Sequence, residues 1–182
     1  MADRFSPLSG CPLPSTEAGV MVAEVPFLTQ LNLRLDRPGD LPLPTAPNTT
    51  VVDGEVTFVW LGPDEWLVVG PPGAQRRLTE QLEAVPGASV VDVSAQRTTL
   101  ELSGPGTREL IALGCSLDVH PRVFGVGRGV QTTIAHSPVI LVRREPSVTN
   151  AEPVFWILVR ASFAAHLASW LIDARGDLTG GY

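Results

Sequence analysis

The sequence contains no lysine; every basic side chain is an arginine. That excludes a phosphate loop of the Walker type, which needs its lysine, and Schiff-base catalysis, which needs an amine. Cysteine is nearly absent too. Cys11 and Cys115 form no metal-ligand spacing, and His120, His136 and His166 share none with them or with a carboxylate cluster. The two cysteines are expected as free thiols in a reducing compartment. No apolar run reaches the ~18 residues of a membrane span, and residues 1–19 lack the apolar stretch of an export signal. The expected location is therefore the cytoplasm, where the Asn48-Thr49-Thr50 sequon would meet no glycosyltransferase. Charge is also sparse: 18% of residues, with a net charge of -6. An acidic chain offers no basic stripe for nucleic acid. Sparse charge fits a surface covered by partners, although 17 prolines and 17 glycines also dilute it.

What is present is a mixture of periods. Residues 1–23, with Pro7, Pro12 and Pro14, read as an irregular arm. In residues 28–35, Leu31, Leu33 and Leu35 alternate with Gln30, Asn32 and Arg34, the pattern of a half-buried strand. Four prolines and Gly39 make 36–47 a loop. Residues 56–61 and 66–69 read as two strands joined at Gly62-Pro63-Asp64-Glu65. The period then changes: Ala74, Leu78, Leu82 and Val85 lie on one face of a helix that Pro86-Gly87 ends. Strands are expected at 90–93 and 97–102, and a short helix after Ser103-Gly104-Pro105, burying Leu110 and Ile111 and stopping at Gly114. After a loop at 115–129, strands at 130–135 and 138–143 meet in a tight turn. Residues 144–153 read as a polar loop and 154–160 as a strand. A last helix is capped by Ser162, buries Phe163, Leu167, Trp170, Leu171 and Ala174, and closes at Gly176.

Hairpins mixed with helices, without regular βαβ alternation, predict an α+β fold of antiparallel sheets with packed helices. Strand, turn, strand, helix at 56–85 is echoed at 139–174. The expected organisation is an N-terminal arm at 1–23 and two related small subdomains, 24–88 and 89–182.

Candidate sites are few. Gly125-Val126-Gly127-Arg128-Gly129 is followed by Val130, so the dinucleotide fingerprint fails and a strand follows where a helix should. The run is either a loop or an anion cradle. No G-x-S-x-G is present, so a hydrolase of that kind has no support. His166 reads as a helix-boundary residue. Trp60, Trp66, Trp156 and Trp170 are core residues or interface anchors. Residue chemistry alone reaches a domain with no visible catalytic residues.

Several runs, in order, resemble the gamma subunit of heterotetrameric sarcosine oxidase. They are Thr29-Gln30-Leu31-Asn32-Leu33-Arg34; Gly62-Pro63-Asp64-Glu65-Trp66 within 61–70; Asp92-Val93-Ser94-Ala95-Gln96-Arg97 and Ser103-Gly104-Pro105 within 91–105; Gly114-Cys115-Ser116-Leu117-Asp118-Val119-His120-Pro121-Arg122; Gly127 to Thr132; and Ala161-Ser162-Phe163-Ala164-Ala165-His166 within 159–171. That family is similar in turn to the folate-binding region of the glycine-cleavage T-protein, an aminomethyltransferase. Asp92-Val93-Ser94, Gly104-Pro105, Asp118 and the Gly127 to Thr132 strand match the shared pattern.

The resemblance implies a folate-binding, aminomethyltransferase-like fold. It places Asp118 where the T-protein family keeps a carboxylate that engages its folate-bound substrate. The T-protein continues with a longer hairpin carrying paired aspartates, whereas Ala135-His136-Ser137-Pro138 is short and holds none. Asp118 is accordingly expected as a vestige of a folate site or a helix-loop hydrogen-bonding residue. The resemblance further implies a non-catalytic structural role beside alpha, beta and delta subunits. Their complex demethylates sarcosine oxidatively to glycine and hydrogen peroxide, and with tetrahydrofolate yields 5,10-methylenetetrahydrofolate. FAD, FMN, NAD and tetrahydrofolate are expected on the partner subunits. The alternatives are a free-standing tetrahydrofolate-binding protein, which needs a formed pocket around Asp118, and an interaction module of another oxidoreductase.

Overall fold

The computed structural model describes residues 5–146 and 152–179. In chain order the elements are β1 (Ser15–Glu17), β2 (Val20–Val25), β3 (Thr29–Arg34), β4 (Thr50–Asp53), β5 (Val56–Gly62), β6 (Glu65–Gly70), α1 (Gln75–Glu83), β7 (Ser89–Asp92), β8 (Arg97–Ser103), α2 (Thr107–Gly114), β9 (Gly129–Ile134), β10 (Ser137–Arg144), β11 (Val154–Arg160) and α3 (Ala161–Thr179). They build two sheets, in the orders β1-β2-β8-β11-β10-β9 and β4-β5-β6-β3-β7. All strand pairs are antiparallel. The fold is α+β, as the mixed periods predict.

Successive strand residues point to opposite faces, and here both faces of the central strands are covered. In β6, Trp66 and Val68 pack under α1 with Leu78 and Leu82, while Leu67 and Val69 face the other sheet. In β11, Phe155, Ile157 and Val159 pack against α2 and α3, while Leu158 joins Leu67, Val69, Ile140 and Val142 between the sheets. The result is four layers: α1, the five-stranded sheet, the six-stranded sheet, and α2 with α3. Fully burying side chains such as Leu67 or Leu158 contributes about 1.5–3 kcal/mol each.

The two sheets share a strand order. Read from one end, the first sheet runs β4-β5-β6-β3-β7 and the second β9-β10-β11-β8-β2, with α1 following β6 and α3 following β11. Each half thus contributes its opening strand to the other half's sheet. β2 precedes β3 in the chain yet pairs with β8; β7 precedes β8 yet pairs with β3. The two halves of the chain are therefore joined by backbone ladders within each sheet as well as by packing between the sheets. The runs Phe58-Val59-Trp60-Leu61 and Phe155-Trp156-Ile157-Leu158 lie on β5 and β11, which are not equivalent strands.

Several expectations are corrected. Residues 15–25 are not irregular: β1 and β2 form a hairpin turned at Ala18 and Gly19, both at positive φ, and β2 crosses the expected boundary at 23/24. Strand β4 lies between the expected loop at 36–47 and the expected strand at 56–61, a stretch with no expected element, and is hydrogen-bonded to β5 across Gly54-Glu55. β7 follows the subdomain boundary at 88/89 but belongs to the sheet of β3. Ser162 is no cap, because β11 passes directly into α3 at Ala161, and Gly176 lies inside that helix. The buried stripe of α3 is Ala164, Leu167, Ala168, Leu171, Ala174 and Arg175; Phe163 is exposed and Trp170 only half-buried. Small residues at 164 and 168 let the helix approach the sheet, and this turns Phe163 outward. Of the expected loop at 144–153, residues 147–151 lie outside the described residues.

Candidate functional site

Asp118 follows α2 in an exposed segment. Its Oδ1 accepts the backbone N–H of His120 at 2.8 Å, and His120 Nδ1 in turn accepts the N–H of Arg122 at 3.3 Å. These are local turn bonds of the kind Asp makes with its own backbone two residues on. Asp92, the other carboxylate of the resemblance, does the same: its Oδ1 accepts the N–H of Ser94 at 2.9 Å and the Ser94 hydroxyl at 2.6 Å. Ser94 Oγ also accepts the N–H of Gln30 at 2.9 Å, so the Asp-Val-Ser run fastens the end of β7 to β3. A cavity of about 330 Å³ beside this turn is lined by Asp92, Ser94, Arg97, Gln75 and Phe27.

The Gly125–Gly129 region is occupied by protein contacts. The Gly127 carbonyl accepts the N–H of Thr50 at 2.8 Å, and the N–H of Gly129 donates to Asn48 at 3.1 Å. A Cβ on Gly129 would stand 2.5 Å from Thr50 Cγ2. The run therefore lets β9 pass close to β4, joining the sheets at that edge.

The most concentrated polar chemistry was not legible in any motif. Phe155 stacks on Phe124, with centroids 6.2 Å apart, and carries the guanidinium groups of Arg108 at 5.1 Å and Arg143 at 5.2 Å. Arg143 donates to the Val154 carbonyl at 2.8 Å, and Arg108 donates to the Val119 carbonyl. Burial pushes both guanidinium pKa values down, and for Arg143 the neighbouring Arg108 adds to it. Glu109 partly offsets this for Arg108 and Glu145 for Arg143, and cation–π contact and carbonyl bonds hold both groups. On the opposite face of the sheet, Arg144 lies 4.0 Å over Trp156, whose indole N–H donates to Glu101 at 2.9 Å. Arg144 also donates to the Thr57 hydroxyl and so bridges the sheets. Burial lowers its pKa, which Glu101 and Glu145 partly offset. The sequence signal was an arginine pair, Arg143-Arg144, ending a strand of apolar residues.

The tryptophans divide. Trp66 is core, its N–H donating to the Pro44 carbonyl at 2.8 Å. Trp60, Trp156 and Trp170 are half-buried. His166 sits at the helix surface, within 3.3 Å of the Ala135 carbonyl. Cys11 and Cys115 are unpaired. Among the described residues no group of three or more His, Cys, Asp or Glu could hold a metal ion, and no helix is long and apolar enough to cross a membrane. Large apolar side chains are exposed on both sheet-edge and loop positions: Val52 on β4, Val91 on β7, and Val123 and Val126 in the segment before β9.

A family model described as the sarcosine oxidase, gamma subunit family matches residues 34–177. A sarcosine oxidase subunit gamma from Corynebacterium sp. (strain P-1) is 39% identical over 176 residues, covering 90% of this chain and 83% of that protein. The namesake from an Arthrobacter species is 38% identical over the same shares. Among solved structures, a chain of the heterotetrameric sarcosine oxidase from Corynebacterium sp. U-96, in complex with pyrrole 2-carboxylate, superposes with a TM-score of 0.83 at 32% identity, covering 98% of each chain.

Proposed function

This chain belongs to the sarcosine oxidase gamma subunit family, and from that premise we propose that it is the non-catalytic structural subunit of a heterotetrameric sarcosine oxidase. Its role is to brace the larger subunits. The observation that carries this reading is the near full-length match to one chain of such a complex. The exposed apolar residues on edge strands β4 and β7 agree with it, since unpaired strand edges bearing apolar side chains are surfaces that partners cover. The partners are the alpha, beta and delta subunits, in the cytoplasm. FAD, FMN, NAD and tetrahydrofolate reside on them, and the complex demethylates sarcosine to glycine with hydrogen peroxide or, with tetrahydrofolate, 5,10-methylenetetrahydrofolate.

A free-standing tetrahydrofolate binder is not favoured. The relatives are named as oxidase subunits, and the Asp118 carboxylate is tied to its own turn. Asp118 then acts as a vestige whose present work is to hold the loop after α2. Co-expression of the chain with the larger subunits tests the proposal: it should co-purify with them.

A further inference from the structure

At the shared end of β8 and β11, Arg97 stands directly opposite Arg160. Strand alternation sends both side chains toward the other sheet, because Trp156 and Leu158 on the same face of β11 pack there while Ile157 and Val159 pack against the helices. Like charges directly opposite each other on antiparallel strands are destabilising. The neighbouring carboxylates relieve them only in part, through Glu65 on Arg97. Arg34 engages Asp64 at 2.8 Å and Glu65 at 3.5 Å, and Asn32 donates to Glu65 at 2.7 Å. Those two carboxylates are thus already bound. Among the described residues, neither the Arg97 nor the Arg160 guanidinium has a hydrogen-bond or ion-pair partner. Burial and Arg160 push the Arg97 pKa down, against a smaller opposing effect of Glu65.

Both arginines line a cavity of about 290 Å³, whose walls also include Gln131 and Thr132. Gln131 is anchored by its N–H donating to the Leu61 carbonyl at 3.1 Å. The volume is at the low end for small-molecule sites, which run from about 300 to 1,000 Å³. It suits a small planar anion better than a cofactor. Two guanidinium forks with free N–H groups match a carboxylate, which takes parallel bonds from each.

We propose that Arg97 and Arg160 together bind a carboxylate, supplied by an Asp or Glu of an adjoining oxidase subunit or by a small free carboxylate. The first source rests on the gamma-subunit reading; the second does not.

The test uses Arg160→Gln, which changes an exposed side chain, and Arg160→Lys, which keeps the charge and loses the fork. In one arm the full chain is melted at low ionic strength while sodium acetate is titrated, with sodium chloride at matched ionic strength as control. A free carboxylate gives a saturable rise with acetate in the wild type that Arg160→Gln abolishes. In the other arm the assembled oxidase is diluted and retention of this chain is measured. A subunit carboxylate gives about tenfold or more weaker retention for Arg160→Gln, with Arg160→Lys between. If Arg160→Gln behaves as wild type in both arms, the proposal is overturned even where the wild-type chain co-purifies. If the wild-type chain does not co-purify, the gamma-subunit reading fails, and the acetate arm alone decides the site.

Discussion

Arg175 Nη1 donates to the Ser15 carbonyl at 2.7 Å, and its Nη2 donates to the Ser15 hydroxyl at 2.8 Å. The side chain is buried among the helices and the N-terminal hairpin, and Nη1 also reaches the Val20 carbonyl at 3.3 Å. One arginine of α3 thus fastens the β1–β2 hairpin, which forms one edge of the six-stranded sheet and joins β8 through β2. Replacing it with methionine keeps most of the apolar stem but leaves these carbonyls buried without their charged donor. Arg175→Met is expected to cost roughly 2–4 kcal/mol. Equilibrium urea denaturation should show the midpoint falling with an unchanged slope.

Gly104 lies beneath the same hairpin turn. It has a φ of +114°, and a Cβ there would meet the Gly19 carbonyl oxygen at 2.1 Å. The obstacle is backbone, so no rotamer relieves it. Gly104→Ala should therefore cost more than about 3 kcal/mol. Gly87 has a φ of +84° but nothing within 4 Å of its Cβ position. Gly87→Ala should cost only the left-handed strain, about 1–2 kcal/mol. Thermal melts of the two variants side by side check the contrast.

The strongly periodic parts of the fold were legible in the sequence: the alternation of Leu31, Leu33 and Leu35, the helical stripe of Leu78 and Leu82, and the apolar run of β11. Proline misled at the N-terminus. Pro7, Pro12 and Pro14 all precede β1, and a short hairpin turned on Ala18-Gly19 gives little periodic signal. Strand β4 was signalled by the two-residue turn Gly54-Glu55, with Gly54 at positive φ, between Asp53 and Val56, but with four residues the strand is too short to show a clear alternation. The exchange of β2 and β7 between the halves pairs residues far apart in the chain, Val22 with Leu102 and Leu33 with Val90. No local pattern records such a pairing. The same is true of the Arg108–Phe155–Arg143 cluster and of the Arg97–Arg160 pair, whose members come together only through strand register. Asp118 was found through resemblance, with a helix-loop hydrogen bond as one expectation, and the structure gives the partner of that bond as the His120 N–H.

Asp118→Ala is expected to leave the folate-dependent partition of products in the assembled oxidase within tenfold of wild type, or about 1.4 kcal/mol. The carboxylate serves its own turn, so the variant should lose roughly 1 kcal/mol of stability in the isolated chain. Product analysis with and without tetrahydrofolate checks the first statement. A larger change in the partition would show that Asp118 still engages folate.

An obligate structural subunit depends on its partners for stability. The most direct measurement is expression with and without the alpha, beta and delta subunits, with affinity purification through a tag on alpha and melting of both preparations. The chain should co-purify in constant stoichiometry, melt higher in the complex than alone, and share an interface of about 2,000 Å² or more of total buried surface. Equal yield and equal melting temperature in both preparations, with no co-purification, would rule out the structural-subunit role.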